Sequence, residues 1–164
     1  MKKFFVTAAA LCMAFSLGAQ TSTPAEEKPA NPYQFTMIYD VPATSIKDQA
    51  SSGTCWSFAS CAFLESELLR MGKGDYDLSE MWIARHAYLE KAKKYARMHG
   101  KAEYSQGGAT HDVMNMIRLY GIVPEEVYTG LQYGTDKHLH SEVEAVLKGY
   151  MKGVISNANG KLTP

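Results

Sequence analysis

Between Gln49 and Thr54 the chain runs through small and polar residues, QASSGT, and at Cys55 its pattern changes. Trp56, Ala59, Ala62, Phe63, Leu64, Leu68 and Met71 then recur mostly at three- and four-residue steps, with no glycine or proline before Gly72. This spacing predicts a helix buried along one side and stopped by glycine. The consequence is strong. A cysteine sits where a flexible loop enters a long half-buried helix, and the rest of the chain has to pack around that helix.

Three more helices follow from the same reasoning. One is expected from about Leu78 or Ser79, with Asp77 and Glu80 in capping-box spacing, through Trp82, Ala87, Tyr88, Ala92 and Tyr95 to a stop before Gly100. Another starts at Thr110 after Gly107-Gly108, buries Val113, Met114, Ile117 and Tyr120, and stops at Gly121, with Ile122 to Pro124 as an extended exit. The last starts at Ser141, with Glu144 three residues on, and buries Val143, Val146, Leu147 and Tyr150. Val154-Ile155-Ser156 reads as the start of an extended run leading into a loop. Tyr33 to Lys47 is extended in character, apolar at Phe35, Met37, Ile38, Tyr39 and Val41 and barred from helix by Pro32 and Pro42. Lys91, Lys93, Lys94 and Arg97 read as a solvated basic face.

The N-terminus follows a different logic. Lys2 and Lys3 precede an apolar run from Phe4 to Leu17 and the small residues Gly18 and Ala19. That is the layout of a secretory signal peptide over residues 1–19, and the run is too short for a comfortable membrane span. Residues 20–32, polar with Pro24 and Pro29, read as a flexible linker, leaving 33–164 as the folded part. An exported protein is therefore expected, periplasmic or secreted. Charge is balanced, with 17 Lys+Arg against 17 Asp+Glu, which removes any electrostatic reason to expect nucleic acid or an anionic membrane as partner.

Of three cysteines, Cys12 lies in the leader. Cys55 and Cys61, six apart on one helix, point to different faces and are not expected to pair. Cys61, beside Ala62 and Phe63, reads as a core residue. Cys55 differs. At a helix N-terminus it faces unpaired backbone N–H groups and the positive end of the helix dipole, which favour a thiolate nucleophile. Its own N–H points to where an attacked carbonyl develops negative charge. The amide of Gln49, six residues earlier across the turn, could supply a second oxyanion donor.

The run Gln49-x-x-x-Gly53-x-Cys55-Trp56-Ser57-Phe58-Ala59-Ser60 resembles the active-site signature of papain-like cysteine peptidases. Leu78-Ser79-Glu80 resembles the opening of that family's next helix. Gly107-Gly108, with Tyr120-Gly121-Ile122-Val123-Pro124 beyond it, resembles the segment lining the non-primed substrate cleft. The resemblance implies an α+β papain-like fold, of which this chain would be the mainly helical N-terminal half, with the β-rich half absent. It implies Cys55 as nucleophile, Gln49 in the oxyanion hole, and Gly53, Trp56, Gly107 and Gly108 in substrate binding, with a peptide or protein as substrate. One position departs. The usual pattern has a disulfide cysteine three residues before the nucleophile, and here that residue is Ser52. Ser51-Ser52-Gly53-Thr54-Cys55-Trp56 is similar instead to the bleomycin hydrolase and aminopeptidase C branch, which implies aminopeptidase-like trimming, with internal cleavage also open.

The nucleophile needs a histidine base and an Asn or Asp to orient it. The family places these roughly 130–150 residues after the cysteine, beyond Pro164. None of His86, His99, His111, His138 and His140 has that spacing. The expectation is a fragment that is inactive alone. His138-x-His140 has strand-type metal spacing without an evident third ligand, so no metal or cofactor is expected. Two other classes compete with the peptidase: a half-length relative that binds peptides or inhibits without cleaving, and a thiol redox protein, against which the absence of any Cys-x-x-Cys counts.

Overall fold

The computed structural model describes residues 33–162; the expected export signal over 1–19 and linker over 20–32 lie outside the described residues. The chain divides after Ile38. In the N-terminal unit the described residues, 33–38, are non-helical and exposed. The larger unit, Tyr39–Pro164, carries α1 (Cys55–Arg70), α2 (Glu80–Arg97), α3 (Thr110–Tyr120) and α4 (Ser141–Asn157). Among the described residues there is no strand, only two isolated bridges, Ser51 with Leu139 in parallel and Leu78 with Pro124 antiparallel. None of the described helices is long and apolar enough to cross a membrane.

The hub is α2, which packs against each of the other three helices, while α1 also packs on α3. Its two faces build two cores. Ile83 and Ala87, with Leu78 just ahead of α2, meet Trp56 and Cys61 of α1 and Val113 and Met116 of α3. Tyr88 and Tyr95 meet Tyr104 in the loop beyond, and Leu147, Met151 and Ile155 of α4 lie against these rings. Burial raises the Cys61 thiol to about 12, so it stays protonated and inert at neutral pH.

The start of α2 corrects the expected cap. Ser79 is the N-cap, its Oγ accepting from the Trp82 N–H at 3.0 Å while its own O–H donates to the Tyr128 carbonyl. Asp77 and Glu80 turn instead to Lys47, with Glu80 at 2.9 Å. Lys47 also meets Glu65 at 2.8 Å, a fully buried carboxylate in the middle of α1 that accepts from the Leu78 N–H at 2.7 Å. Burial alone would lower Lys47, but its bonds to Asp77, Glu65 and Glu80 outweigh that and hold the ammonium well above its ordinary range. Burial raises Glu80 despite the opposing Lys47. This cluster ties the segment before the cysteine loop to both α1 and α2.

Three helices differ in detail from expectation. In α1 the buried residues are Trp56, Ser57, Ser60, Cys61 and Glu65, while Leu64 and Leu68 are half-buried and Ala59, Ala62 and Phe63, with Met71 just beyond the helix, are exposed. In α3 the buried residues are Val113 and Met116, with Ile117 and Tyr120 packed at the edge, while Met114 faces out. In α4 no residue is buried; Val143, Val146 and Tyr150 are exposed, and contact runs instead along Leu147, Met151 and Ile155, a four-residue step. The extended run expected at Val154 is helical. Gly149 and Gly153 do not break the helix, and α4 stops where Asn159 and Gly160 take positive φ of 47° and 78°.

Candidate active site

Cys55 is the first residue of α1, and its thiol is free and exposed. The N-cap, Thr54, is fully buried, and its hydroxyl pairs with that of Ser52 rather than capping the helix. The Thr54 carbonyl accepts from Ser57 at 2.8 Å and Phe58 at 3.2 Å. Among the described residues the N–H groups of Cys55 and Trp56 have no acceptor. An exposed sulfur therefore lies beside two unspent donors at the positive end of a helix, a setting that favours a group developing negative charge.

The loop ahead of it is closed on itself. The Gln49 amide donates to the Ser52 carbonyl at 2.7 Å, and the Ser52 hydroxyl returns a bond to the Gln49 carbonyl at 2.8 Å. Only one N–H of the Gln49 amide is needed for the Ser52 bond, so the group keeps a second donor. Ala50, at φ 48°, takes a left-handed turn supported by a 2.8 Å bond from its N–H to Asp48. Ser52 is thus a buried tie within the loop.

Gly53, Trp56, Gly107 and Gly108 are brought together through Gln106, a residue that no sequence pattern marks. Gln106 accepts from the Gly53 N–H through its side chain at 2.7 Å and from Trp56 Nε1 through its carbonyl at 3.0 Å. Both glycine contacts demand the absence of a side chain. A Cβ on Gly53 would meet Gln106 Cβ at 2.8 Å, and one on Gly108 would meet the Trp56 indole at 2.6 Å. From α2, Lys91 donates to the carbonyls of Ser105, at 3.0 Å, and Gly107, and its ammonium lies 5.6 Å from the centre of the Trp56 ring. The expected solvated basic face therefore fails at Lys91, which is half-buried; burial lowers its pKa against the pull of Asp112, Glu144 and Glu103. The signal was available, because Ala84, Ala87, Tyr88, Lys91 and Tyr95 share one helical face.

No histidine is bonded to Cys55 among the described residues. His86 is held between aromatic rings, stacked on Tyr120 at 4.1 Å and edge-on to Trp82 at 4.4 Å, with neither ring nitrogen bonded. His138 and His140 are buried, His140 Nδ1 lying 3.4 Å from the Tyr88 hydroxyl. Burial lowers the pKa of all three. His111 is exposed, 3.4 Å from the Asp112 carboxylate. His99, at φ 49° beyond α2, is exposed. The described residues hold no group of three or more His, Cys, Asp or Glu arranged for a metal.

The model of the papain family cysteine proteases matches residues 35–161, nearly all of the described chain. The chain belongs to that family. Among curated proteins it is similar to cysteine proteinase 1, mitochondrial, of Saccharomyces cerevisiae, with 25% identity over 118 residues in strains S288c and YJM789 alike, covering 62% of this chain and 24% of each relative. The chain thus spans about a quarter of the length of the curated relatives it matches. Within a papain family member, the exposed helix-start cysteine, the closed loop before it and the glycine segment joined to that loop form one coherent candidate site.

Proposed function

We propose that this chain carries the nucleophile of a cysteine peptidase that cleaves peptide bonds through a thioester on Cys55. The observation that carries the reading is the exposed Cys55 at the start of α1 beside two backbone N–H groups without acceptors. The sulfur attacks the scissile carbonyl and forms a C–S bond. The carbonyl oxygen takes negative charge, which the Cys55 N–H and the second N–H of Gln49 stabilise. The C–N bond breaks as the leaving amine is protonated, and water then hydrolyses the thioester. The proton has to pass through a histidine outside the five here, supplied with its orienting Asn by residues beyond 164 in a longer protein; the quarter-length coverage of the relatives supports this. Gly53, Trp56, Gly107 and Gly108 line the side on which the substrate backbone lies.

Ser52 in place of the disulfide cysteine and the length of α2 support the bleomycin hydrolase and aminopeptidase C branch, and through it aminopeptidase-like trimming, with internal cleavage also open. The residues 1–19 support an exported enzyme, periplasmic or secreted. A second reading, a peptide-binding or inhibitory relative that does not cleave, is favoured by one observation, that no histidine here is bonded to Cys55.

Kinetics of the complete gene product decide between them. Hydrolysis of a peptide amide is expected to fall by ~10³-fold or more in Cys55→Ala and by roughly 10²–10³-fold in Gln49→Ala. Tight peptide binding without hydrolysis, or hydrolysis that survives Cys55→Ala, would contradict the peptidase.

A further inference from the structure

The cysteine loop and the glycine segment have to keep a fixed separation if a peptide is to lie between them. Among the described residues, no backbone–backbone hydrogen bond joins residues 49–54 to residues 105–108. No disulfide does so either, because Cys55 and Cys61 are both free. The work falls to three side chains, those of Gln106, Trp56 and Lys91. Gln106 reaches the Gly53 N–H, and its carbonyl holds the Trp56 indole. Lys91 holds the carbonyls on either side of Gln106, those of Ser105 and Gly107. The Gln106 N–H is itself held by Glu144 of α4 at 3.3 Å. Lys91 is half-buried, and burial lowers its pKa against the opposing charges of Asp112, Glu144 and Glu103, so its place is set by the two carbonyls it holds.

We propose that Gln106 and Lys91 are positioning residues, a non-covalent latch that sets Gly107–Gly108 against the cysteine loop and thereby orients the substrate backbone over Cys55. This rests on the peptidase reading above. Neither side chain has a part in the chemistry at sulfur. The latch therefore affects a reagent that must lie along the glycine segment, and leaves a small reagent that needs only the thiol unaffected. A merely structural role would change both alike or neither.

The test uses the complete gene product and two alkylating probes, iodoacetamide and a peptidyl chloromethyl ketone, with the rate at Cys55 read by mass spectrometry. Gln106→Leu keeps length and removes the acceptor; Lys91→Met removes the clamp. Each is expected to slow the peptidyl probe about tenfold, equivalent to about 1.4 kcal/mol, and to leave iodoacetamide within about twofold. Gln106→Glu keeps an acceptor and is expected to recover most of the loss. Equal slowing of both probes, no slowing of either, or a Gln106→Glu variant as slow as Gln106→Leu would overturn the latch while the unmutated protein still prefers the peptidyl probe. If the unmutated protein shows no such preference, the peptidase reading fails and the latch with it. Melting curves of the three variants identify any that is unfolded, and the latch then stands or falls on the folded ones.

Discussion

The two faces of α2 are packed very differently. Toward α1 and α3 it closes a core in which Ile83, Cys61 and Val113 have no exposed surface. Toward α4 it leaves a largely apolar cavity of about 530 Å³, with Tyr88 and Tyr104 on one side and Leu147 and Met151 on the other, whereas the cavity of about 570 Å³ at the outer edge of α2 and α3 is more polar, with Lys91, Asp112 and Arg118 in its walls. No α4 residue is buried, and Val146 and Tyr150 each keep 69% of their surface exposed. The closed side carries Cys55, Trp56 and the glycine segment. The site lies beside this packed core, and α4 meets it at its N-terminal end, where Glu144 accepts from the Gln106 N–H and the N-cap His140 donates its N–H to the Ser51 carbonyl at 3.2 Å.

The difference predicts graded costs. Ile83→Ala, on the closed side, opens a cavity with nothing to fill it and should cost about 2–5 kcal/mol in chemical denaturation; a cost under about 1 kcal/mol would mean that this core is loose. Glu125 is a smaller flaw in the same region, next to the α2 start. Its Oε2 is buried without a hydrogen-bond partner, and burial, with Glu80 and Asp77 nearby, raises its pKa to about 7. The folded state therefore binds this proton more tightly than the unfolded chain, and its contribution to stability is present below the unfolded value and is lost as pH rises to about 7. The melting temperature of the unmutated chain should fall relative to that of Glu125→Gln between about pH 5 and 8. His86, His138 and His140, with lowered pKa values, have the opposite slope, and the comparison with Glu125→Gln cancels them. Parallel curves would show that Glu125 does not set this pH dependence. Smallest is Val146→Ser on the open side, expected within about 0.5 kcal/mol of the unmutated chain; a loss above about 1 kcal/mol would show that the α4 face is covered.

The same contrast explains what could be read from the sequence. The bounds of α1, α2 and α3 follow from apolar periodicity and from Gly72, Gly100 and Gly121, although in α1 the buried face is the partly polar row Trp56, Ser57, Ser60, Cys61 and Glu65 while Phe63 stays exposed. In α4, Val143, Val146 and Tyr150 have helical spacing yet stay exposed, because periodicity reports an apolar face and not whether anything covers it. The β-branched Val154 and Ile155 suggested an extended end, but local propensity yielded to helix continuation up to Asn159-Gly160. At the candidate site, Cys55 and Gln49 stood out by their spacing at a helix start, and Gly53 and the two glycines through the resemblance of their segments to the papain-like signature. Gln106 and Lys91 did not, since a Gln before two glycines and a Lys in a basic run have no distinctive pattern until the fold brings residues 53, 56, 91 and 106 together.

Whether Cys55 is a peptidase nucleophile and Cys61 a core residue is best decided by timed alkylation of the native complete gene product with a peptidyl chloromethyl ketone. Modification at each cysteine would be resolved by mass spectrometry. Cys55 is expected to react at least about tenfold faster than a free cysteine peptide, and Cys61, buried with its thiol raised to about 12, only after denaturation. Reaction of Cys55 no faster than the free peptide, or labelling of both cysteines at the same rate, would contradict these assignments.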